Sequence, residues 1–410
     1  MTSLVRNRNY RLLFSAHAIT NLGDGVSSLA FPWLATLITR DPMAVAIVAA
    51  AVHLPWFLFS IPAGVITDRG DRRRLMVQAD VLRLLLTFGV VALILTTPVF
   101  PPAGSPWPMI AALAGLAFLL GSAEVVRDNA AQTLLPSVVS EDALERANGR
   151  LWSVEQIMGS FVGPPLAGLL IAWAVPVPFV FDAVTFGLAA WLIWMLALPP
   201  RAQPKRRAVW SEAAEGWRWM KGHPVILRLA VLLGALNALN MMAMTVLVLF
   251  SQERLGLGAA GHGLLMTAGA AGGVVGGMIC PWIVARLGGQ SSLRLALILF
   301  PLPYLAIAVW PSVWVVAAAL FLEMAAALLW NVVTVSYRQR IIPDDLLGRV
   351  NSLYRFFGWG MIPLGALAGG WIVSVAEGPL GRAEALSLPF LLAGAGLGGA
   401  LVYGWVKLRL

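Results

Sequence analysis

Apolar runs long enough to cross a bilayer recur along the whole chain, and no other feature limits the possible folds as tightly. They fall at roughly 12–38, 44–67, 75–98, 107–127, 151–174 and 177–198, then at 225–251, 262–286, 292–311, 312–337, 350–375 and 386–408. A hydrocarbon core of roughly 30 Å takes a helix of about twenty residues, and inside it the backbone must satisfy its own hydrogen bonds. The expectation is an all-α integral membrane protein with twelve transmembrane helices. Breakers stand where turns are needed, at Arg40-Asp41-Pro42, Pro98 to Pro108, Pro176-Val177-Pro178, Pro311 and Glu377-Gly378-Pro379. Composition agrees: 59% of the 410 residues are apolar and 12% charged, against about a quarter charged in a soluble chain.

Charge placement sets the orientation. A net charge of +9 would suggest nucleic acid in a soluble protein. Here the cations occupy alternate loops, so no nucleic-acid partner is expected. Placing both termini in the cytoplasm leaves only Arg40, Arg254 and Arg382 outside, of 29 Lys and Arg, as the positive-inside rule requires. Arg6, Arg8 and Arg11 precede an apolar run far longer than a signal-peptide core of about 7–15 residues. That run is expected to remain as the first helix.

The longest polar break, Pro199 to His223, carries Arg201, Lys205, Arg206, Arg207, Glu212 and Glu215 with Trp210, Trp217 and Trp219. It divides the chain into an N-terminal six-helix half at 1–198, a cytoplasmic linker at 199–223 and a C-terminal six-helix half at 224–410. The linker reads either as a helix lying on the membrane surface or as a plain connection. The halves look like duplicates. Gln132-Thr-Leu-Leu-Pro136, Arg146-Ala-Asn148-Gly and Pro164 to Gly168 recur about 200 residues later as Gln339-Arg-Ile-Ile-Pro343, Arg349-Val-Asn351-Ser and Pro363 to Gly369. Such a parallel repeat places a substrate site between halves near the midplane in many transporters.

Several chemistries drop out. Cys280 is the only cysteine, and His17, His53, His223 and His262 are scattered without metal-ligand spacing. No P-loop is present, and Gly256-Leu-Gly258-Ala-Ala-Gly261 lies between membrane segments rather than after a strand. No serine, histidine and carboxylate set suits hydrolysis. Neither an enzyme, a metal nor a cofactor is expected.

Charges inside apolar segments need a reason, because each costs about 2.5–3.5 kcal/mol at mid-bilayer. Asp24 lies about 20 Å past Arg11 at 1.5 Å per residue and shares a helix face with His17 and Asn21. Glu323 lies near the middle of the tenth segment, with Ala327 and Trp330 along its face. Desolvation disfavours the charged carboxylate, so both are proton-coupling candidates, with buried hydrogen bonding or gating as the competing reading. Asp80 with Arg83 and Glu124 with Arg127 stand at i, i+3 and are expected to form local structural pairs. Asp182 and Glu155, near helix ends, are expected to reach water. Asn237, Asn240, Met241 and Met244 on the seventh segment suit either an adaptable substrate lining or helix packing. Together with His17, Asn21 and Trp330 they make up the candidate substrate contacts.

Between the second and third segments, Gly64-Val-Ile-Thr-Asp68-Arg69-Gly70-Asp71-Arg72-Arg73 resembles the signature loop G-x-x-x-D-R-x-G-R-R/K of the major facilitator superfamily. Gly70-Asp71 departs from it, since the family more often has any residue followed by Gly. Read from the residues, Gly64 lets a neighbouring helix approach closely and Asp68 can accept from a helix N-terminus or a cation; a charge cluster that only sets topology is the alternative. The resemblance implies a conformational latch between halves at Gly64, Asp68, Arg69, Arg72 and Arg73.

The fifth segment holds Gly159, Gly163, Pro164 and Gly168, with Ala167 in place of one glycine, and is similar to the superfamily's antiporter motif. That tilts the reading toward efflux, against plain small-residue packing. The fourth segment lacks the R-x-x-x-G motif that many proton-coupled members carry.

The N-R-N-Y-R-L-L stretch, Leu22-Gly23-Asp24, and Leu135-Pro136 to Ala147-Asn148 look like the bacterial subgroup of enterobactin exporters and macrolide efflux proteins. The resemblance implies a proton-coupled exporter of drugs, macrolides or siderophores in the bacterial inner membrane, working by alternating access, for which a monomer suffices. Its partners would be a small-molecule substrate, protons and the lipid bilayer. A lipid or lysophospholipid flippase without proton coupling, and a receptor or scaffold that has lost transport, are the alternatives.

Overall fold

The computed structural model describes residues 4–97, 99–140, 143–197 and 209–409. Among them every regular element is helical: α1 (Arg8–Ile38), α2 (Pro42–Arg69), α3 (Arg72–Leu95), α4 (Trp107–Leu134), α5 (Leu144–Glu155), α6 (Gly163–Trp173), α7 (Val177–Trp194), α8 (Val209–Gly222), α9 (Pro224–Glu253), α10 (Ala259–Leu299), α11 (Pro301–Val309), α12 (Val313–Ile341), α13 (Asp344–Gly360), α14 (Ile362–Leu380) and α15 (Arg382–Lys407).

Among the described residues ten stretches are long and apolar enough to cross a bilayer. One of these, 259–309, holds two crossings, because the helix breaks at Gly288, whose φ of 77° suits glycine alone. The polar-spotted α1 brings the count of crossings to twelve. Several helices outrun their apolar runs, α2 and α9 at both ends, since the apolar code marks only the hydrocarbon-spanning part.

Two compact units emerge. Unit 1 comprises Met1–Thr39, Ala51–Arg206 and Gly258–Leu264; unit 2 comprises Arg40–Ala50, Arg207–Leu257 and Leu265–Leu410. The repeat shows in how each unit closes its last helix. In unit 1, Asn9 and Arg73 donate to the carbonyls of Ala197 and Leu196 at 2.7 and 2.8 Å, beyond the end of α7. In unit 2, Arg228 and Gln290 donate to those of Lys407 and Leu408 at 3.0 and 3.2 Å, at the end of α15. Cationic and amide donors at a helix C-terminus satisfy carbonyls that have no partner within the helix.

Of the expected linker, residues 199–208 lie outside the described residues, as does the side chain of Trp210. Its second part is α8, docked on α13: Glu215 pairs with Arg349 at 2.7 Å, and Trp217 stacks on Phe357 at 5.9 Å. The three arginines expected outside gather in unit 2. Arg40 donates to Gln252, Arg254 lies 3.8 Å from Glu384, and Arg382 donates to Glu253, Glu377 and the Arg40 carbonyl at 2.7–2.9 Å.

In unit 1 the fifth crossing is α5, a π-helical segment Gln156–Val162, and α6. Gly163 touches α1 backbone to backbone: a β-carbon there would sit 2.5 Å from the Gly25 Cα. Gly64 behaves otherwise than expected, since a β-carbon at that position would meet nothing within 4 Å. Among the described residues no close helix approach requires the small residue there.

Gly163→Val should therefore lower stability by about 1–3 kcal/mol through overpacking, while Gly64→Ala should be neutral or stabilising by up to about 1 kcal/mol. Thermal unfolding of the purified protein in detergent checks both.

Candidate functional site

Four helices of unit 1 turn polar side chains inward at helical spacing: Thr20, Asp24 and Ser27 from α1, Asp80 and Arg83 from α3, Glu124, Arg127 and Asp128 from α4, and Asp182 and Thr185 from α7. Arg83 is the hub. It is 3% exposed, pairs with Asp24, lies 3.5 Å from the Thr20 hydroxyl, and spreads its guanidinium 4.0 Å over the Phe186 ring. Arg127, 1% exposed, lies 3.4 Å from the fully buried Asp80 and 3.3 Å from Asp128.

The local i, i+3 pairs expected from the sequence are thus replaced by pairs across helices. A guanidinium reaches well past its own helix, and in a low-dielectric interior the winning geometry brings a carboxylate from a neighbour. Glu124 lies near enough to Asp24 and Arg83 to interact with both charges. Asp182 overturns its expectation more fully. It is 1% exposed, and its Oδ2 accepts from the Ser27 hydroxyl at 2.5 Å. Proximity to the start of α7 gave no route to water, because α7 packs along both α1 and α3. Glu155, by contrast, is 45% exposed, with the His17 ring 3.5 Å away. Asn21 donates to the His17 carbonyl at 2.8 Å. His17, Asn21 and Asp24 share a face, but no hydrogen bond joins their side chains into one set among the described residues.

In unit 2, Glu323 accepts from Asn240 at 3.0 Å, and Asn240 also donates to the Tyr304 hydroxyl at 2.7 Å. Tyr304 in turn hydrogen-bonds to Glu323. Sequence reasoning missed Tyr304, although a hydroxyl amid the apolar ninth segment had to find a partner. Asn237 is engaged elsewhere, donating to the Gly358 carbonyl at 2.9 Å. Met241 packs against Ala49, Ala50 and Ala366, and Trp330 is core, 2% exposed and edge-on to Phe300.

The loop residues divide likewise. Asp71, the departure from the family pattern, caps α3 by accepting from the Arg74 amide at 3.2 Å. Arg72 donates to the Thr133 carbonyl at 2.5 Å at the end of α4, and Arg73 to that of Leu196. The side chains of Asp68 and Arg69 lie outside the described residues. In the antiporter-like stretch, Gly159 and Gly163 press on Gly25, the residue after Asp24. Gly168 meets Ala259 and Ala260, and the Pro164 carbonyl faces Gly263.

A model of the transmembrane secretion effector family matches residues 2–404. The chain is similar to the multidrug efflux pump Tap of Mycobacterium tuberculosis, 28% identical over 404 residues that cover 93% of this chain and 91% of the pump. It is also similar to the enterobactin exporter EntS of Escherichia coli, 26% identical over 361 residues covering 84% and 80%. A bacterial homologue of the iron transporter ferroportin in its inward-facing state superposes with a TM-score of 0.72 at 19% identity, over 98% of this chain and all (100%) of that one. The nucleoside transporter NupG gives 0.71 at 10% identity, over 98% and 100%. Likeness at those identities speaks for the fold alone.

Removing one partner of a fully buried ion pair strands the other, at about 3–5 kcal/mol. Asp80→Asn and Arg127→Gln should each destabilise by that order, and the double variant by less than their sum. A double-mutant cycle read by thermal unfolding checks the coupling.

Proposed function

The chain belongs to the transmembrane secretion effector family of the major facilitator superfamily, and from that membership we propose that it exports small hydrophobic or amphipathic compounds, drugs or siderophore-like molecules, in exchange for protons. One observation carries the coupling: Asp24 is a carboxyl inside the apolar α1, paired with Arg83, and the next residue, Gly25, takes the backbone contact of the fifth crossing. A change of charge at Asp24 therefore acts on the turn against which the exporter-type motif is packed. The names of two relatives, an efflux pump for multiple drugs and an exporter of enterobactin, favour the outward direction.

In this reading the chain is a multi-pass protein of the bacterial cytoplasmic membrane with both termini in the cytoplasm. Its six-helix halves, 1–198 and 224–410, alternate access about the linker 199–223. Glu323, held by Asn240 and Tyr304, is the second proton-coupling carboxyl. His17, Asn21, Asn240 and Met241 are the substrate-contacting candidates. Arg72 and Arg73, which tie the loop to the ends of α4 and α7, form the described part of the latch.

A potential of 100 mV is worth about 2.3 kcal/mol per charge moved, or roughly a fiftyfold gradient. Proton uptake or release on adding hydrophobic drugs or siderophores to the purified protein tests the proposal. The wild type should give a substrate-dependent signal, and Asp24→Asn or Glu323→Gln should lose it and, in vesicles, lower the sustained gradient by roughly fiftyfold per proton lost. Substrate binding without any proton signal in the wild type would replace this reading with a facilitator or flippase.

A further inference from the structure

Arg83 needs a counter-charge at every stage of a proton cycle, and Asp24 supplies one only while ionised. A guanidinium does not give up its proton inside a protein. A proton arriving at Asp24 would leave a cation uncompensated in the apolar interior, unless a second carboxylate stood by.

Asp182 stands in that place. It precedes by one turn Phe186, the ring over which Arg83 lies at 4.0 Å. Its Oδ2 accepts from Ser27 at 2.5 Å, and its Oδ1 lies 3.5 Å from the Thr185 hydroxyl. The same Oδ1 sits so close to Gly23 that a β-carbon there would collide with it. Gly23 and Ser27 flank Asp24 on α1, and Arg83 lies over the ring one turn past Asp182, so Asp182 stands among the charges that act on the guanidinium. Among the described residues no ion pair involves Asp182. The charges that act on it are Asp24 on α1 and Arg83 on α3; Asp80 on α3 and Glu124, Arg127 and Asp128 on α4 act in turn on those two, and α6 carries no charged residue.

We propose that Asp182 is a standby counter-ion for Arg83: the guanidinium pairs with Asp24 while that carboxyl is ionised, and with Asp182 while Asp24 carries the proton. Asp24, whose side chain is 30% exposed, takes the proton from water and returns it to water. Asp182 binds neither water nor substrate. It is a positioning residue, and the Ser27 hydroxyl donates to its carboxyl. This inference rests on the proton-coupled reading above.

The test compares wild type, Asp182→Asn and Ser27→Ala by the pH dependence of substrate-linked proton uptake in vesicles. In Asp182→Asn, Arg83 loses the proposed standby carboxylate, so Asp24 stays ionised to lower pH. The midpoint should fall by about 1–3 units, and Ser27→Ala should move it less and in the same direction. A residue that merely packs α7 against α1 would leave the midpoint where it is, so an unmoved midpoint in both variants overturns the proposal.

A second readout needs no transport. Asp24→Asn alone leaves Arg83 with Asp182, whereas Asp24→Asn with Asp182→Asn removes both carboxyls of the proposed exchange, so the double variant should lose more thermal stability than the sum of the single losses. Additive losses overturn the pairing. No substrate-linked proton signal in the wild type would defeat the parent reading instead, and the stability cycle would still decide whether Arg83 uses both carboxyls.

Discussion

A guanidinium that cannot be neutralised, placed where water does not reach, governs the interior of unit 1. Arg83 commits four helices at once: α3 carries it, α1 supplies Asp24 and Thr20, α7 supplies the face of Phe186, and α4 brings Arg127 to occupy Asp80. In lipid, apolar surface alone gives helices little reason to associate, because acyl chains solvate leucine as well as leucine does. Cross-helix ion pairs and small-residue contacts supply the reason. Five carboxyls, on Asp24, Asp80, Glu124, Asp128 and Asp182, surround two guanidiniums in this interior, and that excess is what makes exchange of a proton or a counter-ion feasible.

The second kind of contact converts charge into position. Gly25 meets Gly159 and Gly163 backbone to backbone, with no side chain between them to absorb a displacement. Packed interiors pass small shifts on rather than damping them. The fifth crossing meets this contact with a π-helical segment, Gln156–Val162, directly before Pro164. Pro164 lacks an amide proton, and a π-bulge is the local adjustment by which a helix absorbs such a gap. The turn carrying Asp24 and the stretch resembling an antiporter motif are therefore one mechanical object.

Much of this was legible in the sequence. Apolar length located the crossings, and breakers placed the turns, because membrane insertion rewards those two features and little else. Asp24 and Glu323 stood out by their cost alone. What could not be read was partnership. Asp80 and Arg83 look paired on a helical wheel, yet each takes a partner from another helix, since spacing along one helix says nothing about what a neighbour brings. Asp182 looked solvated because it lies near the start of its segment, but depth along a helix is not distance from water once two helices cover it. Gly64 looked like a packing glycine and faces open space. Tyr304 and Ser27 were passed over because single hydroxyls gain meaning only beside the carboxyl they serve. Gly288, one of two adjacent glycines, ends a helix where nothing but a positive φ distinguishes it.

The two carboxyls proposed to couple protons, Asp24 and Glu323, stand in opposite electrostatic settings, and this bears on how a cycle could use both. Asp24 faces a permanent cation, and under the proposed exchange a proton there would hand Arg83 to Asp182. Glu323 is held by the neutral donors Asn240 and Tyr304, and among the described residues it forms no ion pair. Protonating Glu323 removes a charge that only dipoles were stabilising. Loading Asp24 therefore rearranges pairing within unit 1, while loading Glu323 relieves unit 2 of a buried charge with no rearrangement of partners. Two carboxyls with such opposed consequences are not interchangeable. In the proposed cycle a proton on the first would work as a switch, and a proton on the second as a release.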